Sequence, residues 1–513
     1  MPPLPVPEPS SPLLSAAQRR LSADGDRVVS ALYARDPSLW VVPEAAEWLG
    51  WLDAPRVYGA RVTELLAFAD EVRQVGFTRV ALLGMGGSSL APEVFARTFG
   101  PRDSFPTLVV LDTTDPSALL RIEEAGDVAS TFFLVSSKSG TTIEMNAMLA
   151  YFWERTGGGP GRFAAITDPG TPLAKLARER GFRRVFENAP DIGGRFSALS
   201  YFGLVPAALM GVDIAEVLAR AAAMAEKCAG RASCPEMVGP ALGAFFAEAS
   251  VAGRDKLTID GGPTFDSFGV WAEQLVAEST GKGGKGLVPI VGEPAGARAG
   301  AGADRAFVTI DAGDPLDLGA EFFQWEVATA VAGAWMGLNP FDQPNVAESK
   351  TNTEHVLKDL AGGAAPEPAA GLGGLERALR EWASLIRERD YVALLAWVQP
   401  TAEHHALLAR MRRAIGAARG VATTAGYGPR FLHSTGQLHK GGADNGVFLQ
   451  IETENARDMA VPGAGFTFGR LKLAQALGDH GALVARGRRV LRVRVREGEV
   501  ERVAEIVEQV MRV

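Results

Sequence analysis

Thr131-Phe132-Phe133-Leu134-Val135-Ser136-Ser137-Lys138-Ser139-Gly140-Thr141-Thr142 passes from an apolar run into a segment, 136–142, that holds five hydroxyls and one ammonium in seven residues. The run 131–135 is rich in aromatic and apolar side chains without polar alternation, the pattern of a strand buried on both faces. From Thr142 to about Arg155 the spacing of apolar residues turns helical. A helix start exposes free N–H groups at the positive end of its dipole. One hydroxyl is enough to cap it. The surplus here predicts an anion cradle.

Similar units flank this one. Thr78–Leu83 is an apolar run that ends in Gly84-Met85-Gly86-Gly87-Ser88-Ser89, with a helical stretch from Leu90. Thr107–Leu111, Arg162–Ile166 and Arg184–Phe186 are further runs, and a helix is expected from Pro172. Continuous apolar strands alternating with helices predict an α/β fold with a doubly wound parallel sheet. The Gly84–Ser89 loop alone is open to three readings: a phosphate monoester cradle, a dinucleotide turn or a structural turn. Ser89 stands where the dinucleotide fingerprint has its third glycine, and no Walker-type lysine motif is present. Two such loops on neighbouring parallel strands would face each other at the carboxyl edge of the sheet, where α/β proteins bind ligands.

The pattern resumes beyond residue 213. Helical stretches are expected over 214–252, and strands at Lys256–Ile259, Gly286–Val291, Ala306–Ile310, Tyr391–Trp397, Gly420–Thr424, Val447–Ile451 and Val490–Val495. Ser15–Tyr33 with Trp40, Trp48 and Trp51 predicts a helical cap. The expected organisation is therefore a tail and cap over 1–60, a first α/β domain over 61–213, and a second over 214–513 with a C-terminal extension. Ala361–Gly374 reads as a loop, and Arg486–Arg496 as an edge strand with a solvated arginine face.

With 513 residues, 47% apolar, 22% charged and a net charge of −8, the composition is that of a globular protein and excludes a disordered chain. It offers no global positive field for nucleic acid. Apolar runs of about a dozen residues are too short for a bilayer span, which takes about 20. The Pro-rich N-terminus does not read as a secretory signal, and two cysteines, Cys228 and Cys234, suit a reducing cytoplasm. Neither cysteine has a nearby histidine, so no metal site is expected.

Ser137–Thr142 resembles the phosphosugar-binding signature of sugar isomerase (SIS) domains. Four further segments resemble the glucose-6-phosphate isomerase family: Gly84–Ser89, Gly193-Gly194-Arg195-Phe196-Ser197, Gln274-Leu275-Val276-Ala277-Glu278-Ser279, and Asn339–Lys350. The whole chain is most similar to the isomerase half of bifunctional transaldolase/phosphoglucose isomerases. The resemblance implies two SIS domains, no cofactor, a sugar phosphate as small-molecule partner, and aldose–ketose isomerisation through an enediol. It implies Glu278 as the base that moves a proton between C2 and C1. Arg195 would stabilise the enediolate, His433 would open the sugar ring, and Lys350 would assist at the substrate oxygens. Gly87, Ser88, Ser137, Lys138, Ser139, Thr141, Thr142, Gly194, Gln274 and Gln343 would bind substrate. Met145 stands where the family has a further phosphate-contacting threonine.

One departure is visible. The Asp342-Gln343…Lys350 segment here precedes His433, whereas the family order is the reverse. Either the second domain has a rearranged strand order or one of the two matches is fortuitous. In the usual family homodimer the histidine comes from the partner subunit; the sequence leaves cis or trans open. Two alternatives remain: a non-catalytic phosphosugar-binding module, or an isomerase for mannose or glucosamine phosphate. No barrel with a Schiff-base lysine is legible, so transaldolase activity is not expected.

Overall fold

The strand Thr131–Ser136 is central to a five-stranded sheet in a computed structural model of the chain. The structure describes residues 6–7, 12–124, 128–230, 238–293, 302–310, 313–363, 365–366 and 368–512, without the side chains of 6, 7, 346, 347, 349 and 350. In chain order the strands are β1 (Val6–Pro7), β2 (Arg79–Leu83), β3 (Thr107–Leu111), β4 (Thr131–Ser136), β5 (Phe163–Thr167) and β6 (Arg184–Glu187). They continue as β7 (Lys256–Asp260), β8 (Val288–Ile290), β9 (Arg305–Thr309), β10 (Tyr391–Trp397), β11 (Ala422–Tyr427), β12 (Gly446–Glu454) and β13 (Arg489–Arg496).

The first sheet runs β3-β2-β4-β5-β6, all parallel. Alternate residues leave it on opposite faces. Val80, Leu82, Phe132, Leu134, Ala164 and Ile166 join one core, while Ala81, Leu83, Phe133, Val135, Phe163 and Ala165 join another. Both faces are thus dry, which is why these strands show no polar alternation. The chain order reverses between β2 and β4, so the loops after these two strands flank the switch point.

Residues 214–513, expected as one further α/β unit, contribute to two sheets, one of them joined by β1 from the N-terminal segment. One is β1-β9-β7-β8, parallel except for β1. The other is β11-β10-β12-β13, parallel throughout. Its faces divide in the same way, Val392, Leu394 and Ala396 on one side and Tyr391, Ala393, Leu395 and Trp397 on the other. The helix Phe468–Ala485 leaves this unit and lays Phe468 and Leu471 into the second core of the first sheet.

β13 lies at an edge, as expected, and Arg496 at its end is exposed, but Arg489 and Arg492 do not belong to a solvated face. Arg492 is buried and ion-paired with Glu452, and Arg489 pairs with Asp390 at 2.6 Å. Burial of apolar neighbours on both sides of the strand brings the carboxylates within reach, and paired guanidinium groups tolerate it.

The cap is helical as read: Pro12–Tyr33 followed by short 3₁₀ turns. Trp51 packs at a tilt on Phe196 with ring centres 5.1 Å apart, Phe196 meets Phe341 at 5.0 Å, and Trp40 meets Phe341 at 5.2 Å. Phe196 and Phe341 in this row are the chain neighbours of Arg195 and Asp342. No helix among the described residues is long and apolar enough to cross a membrane.

Candidate active site

β2 and β4 pair directly, so the loops that follow them meet at the carboxyl edge of the sheet. A Cβ built on Gly84 would stand 3.1 Å from Ser136 O, and one on Gly87 would stand 2.0 Å from Gly194 O. Gly86 holds φ +54°, and a Cβ there would meet His433 O at 2.8 Å. Glycine at 86 and 87 therefore lets three backbone segments converge: Gly84–Ser89, Gly193–Phe196 and the His433 turn.

In the hydroxyl loop, Ser137 Oγ and Thr142 Oγ1 lie 2.9 Å apart, and Gly140 N donates to Ser137 Oγ at 3.1 Å. Ser139 Oγ and Thr141 Oγ1 also lie 2.9 Å apart. The helix Ile143–Arg155 starts immediately after, with Thr142 as N-cap residue. Hydroxyls, free helix N–H groups and dipole thus collect at one point. The Lys138 ammonium turns aside: it is paired with Asp168, donates to Pro190 O at 2.8 Å and lies 5.3 Å from the centre of the Trp48 ring. Ser88 and Ser137 are buried, while Ser139 and Thr141 are exposed.

Gln274 and Glu278 stand one turn apart on the helix Phe268–Thr280. Gln274 Nε2 donates to Glu278 Oε2 at 2.9 Å and to His433 O at 2.7 Å. Gln274 Oε1 is buried without a hydrogen-bond partner among the described residues, an acceptor held ready for a donor. Arg195 Nη1 lies 3.4 Å from Glu278 Oε2 and donates to Gln343 Oε1 at 3.0 Å. Its other donors go to Ser279 Oγ at 2.9 Å, Pro340 O at 2.6 Å and Asp342 O at 2.8 Å. Burial pulls the Arg195 guanidinium below its usual value, with the Glu278 charge opposing.

The sequence missed Lys282. Its ammonium donates to Asn339 O and to Asp342, tying down the same turn that Arg195 grips. Burial pushes it down to about 7, with the Arg195 charge adding to the shift and Asp342 opposing it. Glu144 was missed as well. His433 Nε2 lies 2.9 Å from Glu144 Oε1, and Gln475 Nε2 donates to that same oxygen at 2.7 Å. Glu144 sits two residues after Thr142 on a helix start read only for its hydroxyls. Gln475 carries no local motif.

The structure brings Gln343 and His433 to one place although their order along the chain is inverted. Gln343 arrives from the turn before the helix Val346–Ala361 and His433 from a 3₁₀ turn after β11. Gln437 links the two, accepting from Asn345 N at 2.9 Å and donating to Asn345 Oδ1 at 2.7 Å. The side chain of Lys350 lies outside the described residues. So does Cys234; Cys228 is buried and unpaired in a disulfide. Among the described residues no group of three metal-ligating side chains gathers.

The family model for phosphoglucose isomerase matches residues 71–286. A glucose-6-phosphate isomerase of Rubrobacter xylanophilus is 30% identical over 365 residues, covering 56% of this chain and 84% of that protein. The chain belongs to the glucose-6-phosphate isomerase family. The family match contains both loops, Arg195, Gln274 and Glu278, whereas Gln343, Lys350 and His433 lie beyond it. A glucose-6-phosphate isomerase of Nostoc sp. is 31% identical over 281 residues, half of each chain. The match thus spans most of the Rubrobacter protein but only half of the Nostoc one. A solved glucose-6-phosphate isomerase from Chlamydia trachomatis shares the fold at 18% identity, with a TM-score of 0.54 over 68% of this chain and 86% of that chain.

Proposed function

We propose that the chain interconverts glucose 6-phosphate and fructose 6-phosphate through an enediol. The observation that carries this reading is the placement of Glu278 between Gln274 and Arg195, where Gln274 also meets the Gly84–Ser89 loop. A carboxylate so held can take the proton from C2 and return it to C1, with no bond to the enzyme. The Arg195 guanidinium stands where negative charge grows on the enediolate oxygens. Because five protein contacts already aim it, little reorganisation accompanies the reaction.

The phosphate is assigned to Ser88 and to the 137–142 loop, in which Lys138 contributes through its place in the loop rather than through its ammonium. Gly87 and Gly194, assigned to substrate, also let the 84–89 loop touch the Arg195 turn. His433, oriented by Glu144, opens the ring. Gln343 contacts substrate beside Arg195, and Lys350 is assigned to the substrate oxygens on the sequence resemblance alone. His433 reaches this site from the same chain, so a second copy is not needed to supply it. A cytoplasmic location follows from the same metabolic reading.

The test is direct. The purified chain should convert glucose 6-phosphate to fructose 6-phosphate without added cofactor. In D₂O the product should gain deuterium at the migrating position, because a proton held on Glu278 exchanges with solvent. Absence of turnover, or migration of the C2 hydrogen with no exchange at any temperature, would refute the proposal.

A further inference from the structure

We infer that Gln475 is a positioning residue for ring opening: it holds the Glu144 carboxylate so that this carboxylate orients the His433 imidazole. The inference rests on the functional reading above and extends it to a helix that no motif marks.

Four side chains form a line. Thr114 Oγ1 donates to Gln475 Oε1 at 2.8 Å, Gln475 Nε2 donates to Glu144 Oε1 at 2.7 Å, and Glu144 Oε1 lies 2.9 Å from His433 Nε2. The two bonds agree with one another, since the acceptor-only Glu144 carboxylate takes the donating end of the amide and the Thr114 hydroxyl gives its proton to the other end. An amide has one accepting end and one donating end, so with Nε2 on the carboxylate Oε1 is left facing the Thr114 hydroxyl, which anchors it. Thr114, Gln475 and Glu144 are all buried, so water does not compete for these bonds.

The helix that carries Gln475 is itself pinned at this point. Lys472, one turn earlier on Phe468–Ala485, pairs with the buried Asp115 at 2.8 Å and donates to Thr453 O at 2.9 Å. Thr114 and Asp115 are consecutive residues in the loop between β3 and the helix Pro116–Glu124. Two contacts one turn apart therefore dock the helix on the first sheet, and the reach of Gln475 toward Glu144 is set by that docking. The line joins the carboxyl edge of the first sheet to a helix of the last one.

Its chemical consequence falls on one proton. When C1–O5 breaks, the ring oxygen gains a proton and the C1 hydroxyl loses one. A carboxylate accepting from Nε2 fixes the imidazole tautomer and leaves Nδ1 as the basic nitrogen. An imidazole free to rotate would present the wrong nitrogen part of the time.

The experiment compares full-length wild type with Gln475→Leu and Thr114→Val. Three quantities are read: kcat and KM for glucose 6-phosphate, anomer exchange of the sugar phosphate by NMR, and affinity for 5-phosphoarabinonate, an open-chain acid that needs no ring opening. For Gln475→Leu, kcat and anomer exchange should fall together by about 10- to 100-fold, while KM and acid affinity stay within about twofold. Thr114→Val should shift both rates in the same direction by less, and it carries the same readouts if Gln475→Leu does not fold. Wild-type anomer exchange in both variants would overturn the inference. So would a loss of acid affinity in step with kcat, the mark of a merely structural role. A wild-type chain that neither isomerises nor exchanges anomers would overturn the underlying functional reading and this inference with it, a result separable from the other two.

Discussion

Arg195 Nη1 lies 3.4 Å from Glu278 Oε2, and both side chains are almost closed to solvent. The pair is held from outside: Arg195 is gripped by Pro340 O, Asp342 O and Ser279 Oγ, and Glu278 by Gln274. A buried ion pair of this kind contributes little net stability, because desolvation offsets attraction. Its geometry suits charge that appears during reaction. Lysine cannot reproduce the fork, since it offers a single ammonium. We expect Arg195→Lys to lower kcat by about 10²- to 10³-fold. Steady-state kinetics on the folded variant is the check.

Gly87 and Gly194 touch through their backbones, and the two positions should respond differently to alanine. At Gly87 the added methyl would meet Gly194 O at 2.0 Å; at Gly194 it would meet no heavy atom within 4 Å. Gly87→Ala must push the Arg195 turn away, a displacement that can cost on the order of 10²-fold in rate. Gly194→Ala meets no protein atom and should keep the fold and the position of Arg195. Equal loss in the two variants, measured as kcat/KM with circular dichroism as control, would contradict the convergence of loops described above.

Gln274 bridges Glu278 and the His433 carbonyl within one chain, and on the proposed function both then serve one site. A mixture of a His433→Gln chain with a Glu278→Gln chain should therefore remain as inactive as either alone. Shared sites between subunits would restore up to about a quarter of full activity after unfolding and refolding together, on random pairing. The assay is activity of the co-refolded mixture.

Glu321 and Glu326 are buried on the helix Leu318–Met336, and Glu321 Oε2 and both oxygens of Glu326 lack a partner among the described residues. Burial, with the Asp317 charge adding to it, pushes Glu321 up to about 8. Between its unfolded value near 4.5 and about 8, the folded chain keeps a proton that the unfolded chain has lost. Stability therefore falls as pH rises through that window, by up to about 1.4 kcal/mol per pH unit. Burial raises Glu326 in the same direction. Glu321→Gln should flatten the decline between pH 5 and pH 8, read as urea midpoints of both proteins. An unchanged slope would contradict it.

Most of the first sheet was legible because β2, β4 and β5 are covered on both faces and show it as unbroken apolar runs. The Gly84–Ser89 and Ser136–Thr142 loops were legible for a related reason: glycine and hydroxyl side chains gather where a helix starts, and that signal is local. Glu144, Lys282 and Gln475 were not legible. Each acts through a partner tens to hundreds of residues away, and a buried Glu, Lys or Gln looks like a solvated one until the fold places it. The division of 214–513 into two sheets also escaped, because strand spacing along a chain does not tell which strands pair. The inverted order of Gln343 and His433 left two readings open; contacts through Arg195, Gln274 and Gln437 bring the two segments together in space.

The most direct test of the proposed chemistry is turnover of Glu278→Gln. The amide keeps the volume and the hydrogen bond capacity toward Gln274 and Arg195, yet cannot take a proton at neutral pH. We expect kcat for glucose 6-phosphate to fall by about 10²- to 10⁴-fold, with affinity for 5-phosphoarabinonate retained. A Glu278→Gln chain that isomerises at close to the wild-type rate would contradict the assignment of Glu278 as the base, and with it the mechanism built around that carboxylate.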